Sequence, residues 1–191
     1  MNRAVDFFIK TRYPEMSMEA KVMMNDRLTS RELKKGERLF DEGDVADKIV
    51  AIEEGMIRQF YYNDSKDLTE HFSYEHCTLI CLESFINEIP TDLYAEALED
   101  TKVWILEKKD LEQMMGYSKE IATYYRRVLE YSLLQSQLKA RLWRYGTAKA
   151  RYKHLFDTQP QVVRRAPLSY IASYLMMTPE TLSRVRSSVE L

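Results

Sequence analysis

The sequence predicts an α+β protein in which a β-roll, a double-stranded β-helix or jelly roll, is followed by a long helix and then by a helix-turn-helix. Three observations carry that reading. Between residues 29 and 106, short apolar runs rich in Ile, Val, Tyr and Phe are separated by closely spaced turn signals, as in strands on a half-buried pleated surface. From residue 118 to residue 145 one apolar stripe recurs at spacings of three and four, for about six turns. From Pro167 to Glu190, two short helical patterns flank a tight turn.

Residues 2–28 predict two short helices, one on Val5, Phe8 and Ile9, the other on Met18, Val22 and Met23, with Tyr13-Pro14 breaking the run between them. Strands are predicted at Arg38–Phe40, Ile49–Ile52, Met56–Tyr62, Leu68–Phe72, Tyr94–Leu98 and Lys102–Leu106. Turns are predicted at Lys35-Gly36, Asp41-Glu42-Gly43, Glu53-Glu54-Gly55 and Asn63-Asp64-Ser65. Asp110, with Gln113 three residues on, marks the start of a short helix that Gly116 ends. Ser118 is placed to cap the long helix, whose stripe is Ile121, Tyr124, Tyr125, Val128, Tyr131, Leu134, Leu138 and Leu142. So long a stripe predicts pairing with a second copy; packing along its own roll is the alternative. Thr147–Phe156 predicts a further helix, broken by Asp157-Thr158-Gln159-Pro160, and residues 162–166 lead into the helix pair.

In that pair the first helix presents Ile171 and Leu175, with Ala172 small enough to let another helix cross closely. In the second, Thr178 is an N-cap, Pro179 takes the first helical position and Glu180 adds charge that the helix dipole favours. Leu182, Val185 and Val189 form its buried stripe; Thr181, Ser183, Arg184, Ser187 and Ser188 lie opposite, with Arg186 close by. Such a unit places its second helix in the DNA major groove; a plain αα-hairpin is the structural alternative. The charge distribution agrees. The net charge of −2 divides into −8 over the first 140 residues and +6 over residues 141–191, and a basic tail suits a phosphate backbone.

Several classes are excluded. There is no run of 18 apolar residues to span a membrane and no secretory signal in the opening MNRAVDFFIKTRYPEM. Two cysteines, Cys77 and Cys81, make no disulfide framework, so a cytoplasmic protein is expected. His71, His76, Cys77 and Cys81 are close in sequence, but their spacing fits no familiar zinc pattern; no metal and no cofactor are predicted. No enzyme is predicted either: the paired histidines of a cupin, a glycine-rich phosphate loop, H-E-x-x-H and G-x-S-x-G are all missing.

Roll, long helix and small basic helical domain, in that order, resemble the Crp/Fnr superfamily of bacterial transcription regulators. The resemblance rests on Lys35-Gly36-Glu37, Phe40-Asp41-Glu42-Gly43-Asp44, Ile49 and Ile52-Glu53-Glu54-Gly55, then on Tyr170–Leu175 and Thr178–Arg186. It is nearest to the short regulators of Bacteroidetes-type bacteria. The resemblance implies a cyclic-nucleotide-binding-like roll over residues 1–116, a dimerisation helix over 117–145, and a DNA-binding domain over 146–191, expected here, unlike in many relatives, without a full wing. It implies that Thr178, Pro179, Glu180 and Arg184 face base edges and phosphates, with Arg164, Arg165, Ser169, Tyr170, Thr181, Ser183 and Arg186 around them. It places an effector pocket at Leu82, Glu83, Ser84, Phe85, Asp92, Leu93 and Tyr94. The partners implied are double-stranded DNA, a second copy and an unidentified small-molecule effector.

Two departures matter. The family's cassette for cyclic nucleotides uses an arginine on the phosphate, yet no Arg or Lys occurs from Asp67 to Thr101, and nine acids do. Like charges about 4 Å apart cost on the order of 4 kcal/mol at an effective dielectric of 20. The expectation is therefore a degenerate pocket that does not take cyclic AMP or cyclic GMP, unless a distant cation such as Arg58 turns inward. Secondly, Met176 stands in the turn of the helix pair where the family usually has glycine. The rival reading is a small-molecule-binding or scaffolding roll that has lost DNA binding.

Overall fold

The structure, a computed structural model, describes residues 4–64 and 66–188. The order of elements is α1 (Ala4–Ile9), α2 (Met18–Asn25), β1 (Thr29–Leu33), β2 (Arg38–Phe40), β3 (Lys48–Glu54), β4 (Met56–Asn63), β5 (Lys66–Tyr74), β6 (Thr78–Leu79), α3 (Leu82–Asn87), β7 (Tyr94–Ala97), β8 (Thr101–Glu107), α4 (Lys108–Tyr117), α5 (Lys119–Tyr145), α6 (Ala148–Thr158), α7 (Pro160–Arg165), α8 (Leu168–Tyr174) and α9 (Pro179–Ser188). The strands form two four-stranded sheets, ordered β1-β8-β3-β6 and β2-β7-β4-β5. The chain divides into two compact units, Met1–Gln59 with Ser73–Tyr131, and Phe60–Phe72 with Ser132–Leu191.

In the first unit, strand alternation builds two cores from one sheet. Val50 and Ile52 of β3 and Val103 and Ile105 of β8 turn into the roll, where they meet Leu33, Phe40, Ile57, Leu79, Ala95 and Ala97. Ile49, Ala51 and Leu106 turn to the other face, against Phe8 and Ile9 of α1, Met24 of α2, Leu111 and Met114 of α4, and Ile121, Tyr124 and Val128 of α5. Each fully buried side chain of this size contributes roughly 1.5–3 kcal/mol. The β3–β4 turn needs a glycine. Gly55 has φ +99, and a Cβ there would lie 2.4 Å from the Thr101 hydroxyl oxygen and 2.8 Å from the Asp100 carbonyl.

Four elements go beyond the sequence expectation. β1 is mostly polar and exposed, with only Leu33 buried; it exists because it pairs antiparallel with β8 from Thr29↔Ile105 to Leu33↔Thr101. β6 is two residues long and is held by β3. α3 is a single short helix ended by Glu88 in the left-handed region, φ 56. α7 starts at Pro160, the residue expected to break the chain: with its fixed φ and missing N–H, proline at the first position opens a helix as readily as it stops one. The short helix also starts earlier than expected. Its N-cap is Glu107 and it runs to Tyr117, past Gly116. Asp110 is not the cap; it and Gln113 accept from the Arg27 guanidinium at 2.9 and 2.8 Å. Ser118 does cap α5, accepting from the Ile121 N–H at 3.4 Å.

Candidate nucleic-acid interface and roll interior

The second unit carries the helix pair. α6 is capped by Thr147, whose hydroxyl accepts from the Ala150 N–H at 3.2 Å. Tyr152 and Leu155 of α6, Val162 of α7, Ile171, Ala172 and Leu175 from α8 and its C-cap, and Leu182 of α9 are all buried. α8 ends in a left-handed cap: the Met177 N–H donates to the Ala172 carbonyl and the Met176 N–H to the Ser173 carbonyl, both at 3.0 Å, the two bonds of a Schellman motif. Met176 occupies the left-handed position at φ 52. α9 begins as its sequence predicts. The Thr178 hydroxyl accepts from the Thr181 N–H at 3.2 Å and Pro179 is the first helical residue. A hydrogen bond from Thr178, with the helix-end backbone, holds the Glu180 carboxyl below the usual carboxylate range. Val189, the last member of the proposed stripe, lies outside the described residues.

Thr178, Pro179, Glu180, Ser183 and Arg184 are exposed; Thr181, Val185 and Arg186 are half-buried. Arg164 and Ser169 are exposed, Arg165 and Tyr170 half-buried. Three other cations of the basic tail are occupied. Arg151 donates to the Leu175 carbonyl at 2.7 Å, closing the end of α8; Lys153 pairs with Asp157 at 2.8 Å; Lys149 donates to the Ser188 carbonyl at 3.1 Å. Arg164, Arg184 and Arg186 enter no ion pair among the described residues. Within the helix pair and the segment leading into it, they are cations available to a phosphate or a base edge.

Along α5 the buried residues are Ile121, Tyr124 and Val128. Beyond them the apolar stripe turns outward: Tyr131 is 43% exposed, Leu133 61% and Leu134 66%. Leu138 and Leu142 are half-buried.

The seven pocket candidates have different surroundings. Phe85 belongs to the core between sheet and helices, whereas Leu93 packs on the core inside the roll. Leu82 is half-buried, and Glu83 and Asp92 are exposed. The buried Ser84 hydroxyl is spent on the fold, accepting from the Ala46 N–H at 2.8 Å and donating to the Ile89 carbonyl at 2.6 Å. Tyr94 donates to the Glu42 carboxylate at 2.7 Å and lies under the Arg38 guanidinium. Other polar groups lie inside the roll, of which the sequence had singled out only Cys81. The Gln59 amide donates to the Cys81 sulfur at 3.2 Å, and the Thr91 hydroxyl lies 3.9 Å from that sulfur. Burial pushes the Cys81 thiol up to about 11, so it is a neutral, inert group. Ile57 and Gln59, the neighbours of Arg58, face the roll interior, so by alternation Arg58, 1% exposed, belongs to the opposite face of β4. Among the described residues no group of His, Cys, Asp and Glu converges as a metal site, and no helix is long and apolar enough to cross a membrane.

A β-roll, a long helix with an outward apolar stripe and a basic helix pair follow one another along the chain. Residues 30–118 match the family model of the cyclic nucleotide-binding domain. Solved structures show that the chain has the Crp/Fnr fold. It resembles FixK2 of Bradyrhizobium japonicum at 21% identity, covering 84% of this chain and 83% of that one, with a TM-score of 0.69. The c-di-GMP-responsive global regulator CLP of Xanthomonas campestris is 14% identical over 90% of this chain and 91% of that one, TM-score 0.68. The catabolite activator protein of Thermus thermophilus is 18% identical over 92% and 84%, TM-score 0.60. No curated protein matches the chain in sequence.

Proposed function

We propose that this protein is a transcription regulator that binds duplex DNA as a homodimer, with residues 1–116 as a sensor-type roll, 117–145 as the pairing helix and 146–191 as the reading head. The observation that carries the proposal is the outward face of α9, where Thr178, Glu180, Ser183 and Arg184 are exposed together at the start of a helix capped and anchored on its other face by Leu182. Arginine pairs with two acceptors of guanine, and glutamate accepts from the cytosine amino group. The outward stripe of α5, continuing past Val128 through Leu133 and Leu134, supplies a surface for a second copy.

The roll of this protein does not take cyclic AMP or cyclic GMP. Its interior is filled by aliphatic side chains with Gln59, Cys81 and Thr91, and Arg58 lies on the other face of its strand. A phosphate diester there would be buried without a cation.

Selection from a random inverted-repeat library at low salt tests the DNA reading. We expect one enriched palindromic sequence. Arg184→Ala should bind it with roughly 10- to 100-fold lower affinity and tolerate more bases at one position of each half-site. Failure of the wild type to enrich any sequence would favour a roll that no longer acts on DNA.

A further inference from the structure

The outer edge of the β4–β5 hairpin is gripped by the helical head. Both lie in the same compact unit. β5 is the last strand of its sheet, so one row of its backbone groups has no neighbouring strand. Ser173 of α8 fills two adjacent places in that row. Its hydroxyl accepts from the Thr69 N–H at 2.8 Å and donates to the Asp67 carbonyl at 3.2 Å. A hydroxyl does both at once, which neither a purely donating nor a purely accepting side chain can. One residue further along α8, Tyr174 meets Phe72 edge to face, centroids 5.5 Å apart. A third clasp comes from α5, where the Lys139 ammonium bonds the Glu70 carbonyl at 2.5 Å and the Glu70 carboxylate at 2.7 Å. The same ammonium lies 4.1 Å from the Trp143 ring centroid and 5.1 Å from that of Tyr174. Its side chain is only 13% exposed.

These contacts leave the reading surface open. With the clasp closed, Thr178, Glu180, Ser183 and Arg184 remain exposed. The clasp therefore does not hide α9; it fixes the first helix of the pair, against which α9 is packed.

We propose that Ser173 and Lys139 are positioning residues. They hold the helix-turn-helix on the β4–β5 hairpin and so set the bearing at which α9 enters a groove. This rests on the DNA reading above. A dimer must present two recognition helices about 34 Å apart, one helical turn of DNA. A head that swings freely still binds one half-site, but it loses the advantage of two correctly spaced ones.

The test uses the full chain with Ser173→Ala, Ser173→Thr and Lys139→Gln. Binding is measured to the selected inverted repeat, to repeats with the half-sites moved one or two base pairs apart, and to a single half-site. Amide exchange at Thr69 is followed in parallel. Ser173→Ala should lower affinity for the full repeat about three- to tenfold, as expected for one or two lost hydrogen bonds. It should also flatten the spacing preference, leave half-site affinity unchanged and speed exchange at Thr69. Lys139→Gln should act in the same direction, and Ser173→Thr, which keeps the hydroxyl, should restore the spacing preference. An unchanged spacing preference in Ser173→Ala and Lys139→Gln, while the wild type binds its repeat, overturns the proposal. So does an equal fall in half-site affinity, which would mean that the head itself had loosened. A wild type that selects no duplex at any spacing sinks the DNA reading and the positioning role with it, and is told apart from the first result because the wild type itself fails.

Discussion

Met176 shows how one side chain bears on the reading head. The left-handed conformation crowds a Cβ against the following carbonyl, and the side chain, 62% exposed, gains little packing in return. Glycine would remove the crowding but enlarge the freedom of the unfolded chain. The first effect is the larger, so Met176→Gly should stabilise the protein by about 0.5 kcal/mol, read as a higher denaturant midpoint at unchanged slope. A lower midpoint would show that Met176 makes a contact worth more than its strain. Carboxylates supply a second prediction. Hydrogen bonds from Arg31 to Glu37, from Lys34 to Asp100 and from Ser17 to Glu120 hold these groups below their ordinary values. A group whose folded value is depressed adds stability above its unfolded value and loses it as pH falls through the folded one. The thermal midpoint should hold above about pH 5 and decline below about 4.5; a flat profile down to pH 3 would count against these contacts. The exposed Arg184 and the departure at Met176 were readable from the chain alone, because caps and turns are local. The contacts of Ser173 and Gln59 were not: Ser173 meets Thr69 across 104 positions, and no local pattern announces such a partner.

Among the elements, α5 makes the clearest demand on the environment. Its first half is buried by its own unit and its second half shows leucines to solvent. A charge in that exposed seam should be tolerated by a monomer and not by a dimer. Leu134→Glu should therefore leave the helix content intact while shifting the sedimentation profile from dimer to monomer. A wild type that is monomeric at micromolar concentration would remove the pairing role. Elements with strong alternation or long stripes were legible: β2 to β5, β7, β8, α5, α6 and the helix pair all fall where their patterns predicted. β1, β6, α3 and α7 were not. They are short or polar, and they are stabilised by neighbours distant in sequence, such as β8 for β1, rather than by a period of their own.

At the scale of the molecule, charge is divided: the first 140 residues carry −8 and residues 141–191 carry +6. Charge argued against a phosphate ligand, and strand alternation puts Arg58 on the face of β4 opposite Ile57 and Gln59. Titration calorimetry with cyclic AMP or cyclic GMP at up to millimolar concentration should give no saturable heat, and neither nucleotide should raise the thermal midpoint. Micromolar binding would mean that the roll opens into a shape other than this one.

The β3–β4 turn carries a burden that its size conceals. Most half-buried strands police their own alignment, since sliding by one residue would throw greasy groups into water. β3 has no such safeguard, because Ile49 and Ala51 on one side and Val50 and Ile52 on the other are all sealed from solvent. A misaligned strand would look nearly as oily from either side. Proofreading then falls to Gly55 at the end of this strand, where backbone meets backbone too closely for a Cβ, and a methyl group added there should produce mispaired, aggregation-prone chains rather than a merely weaker native state.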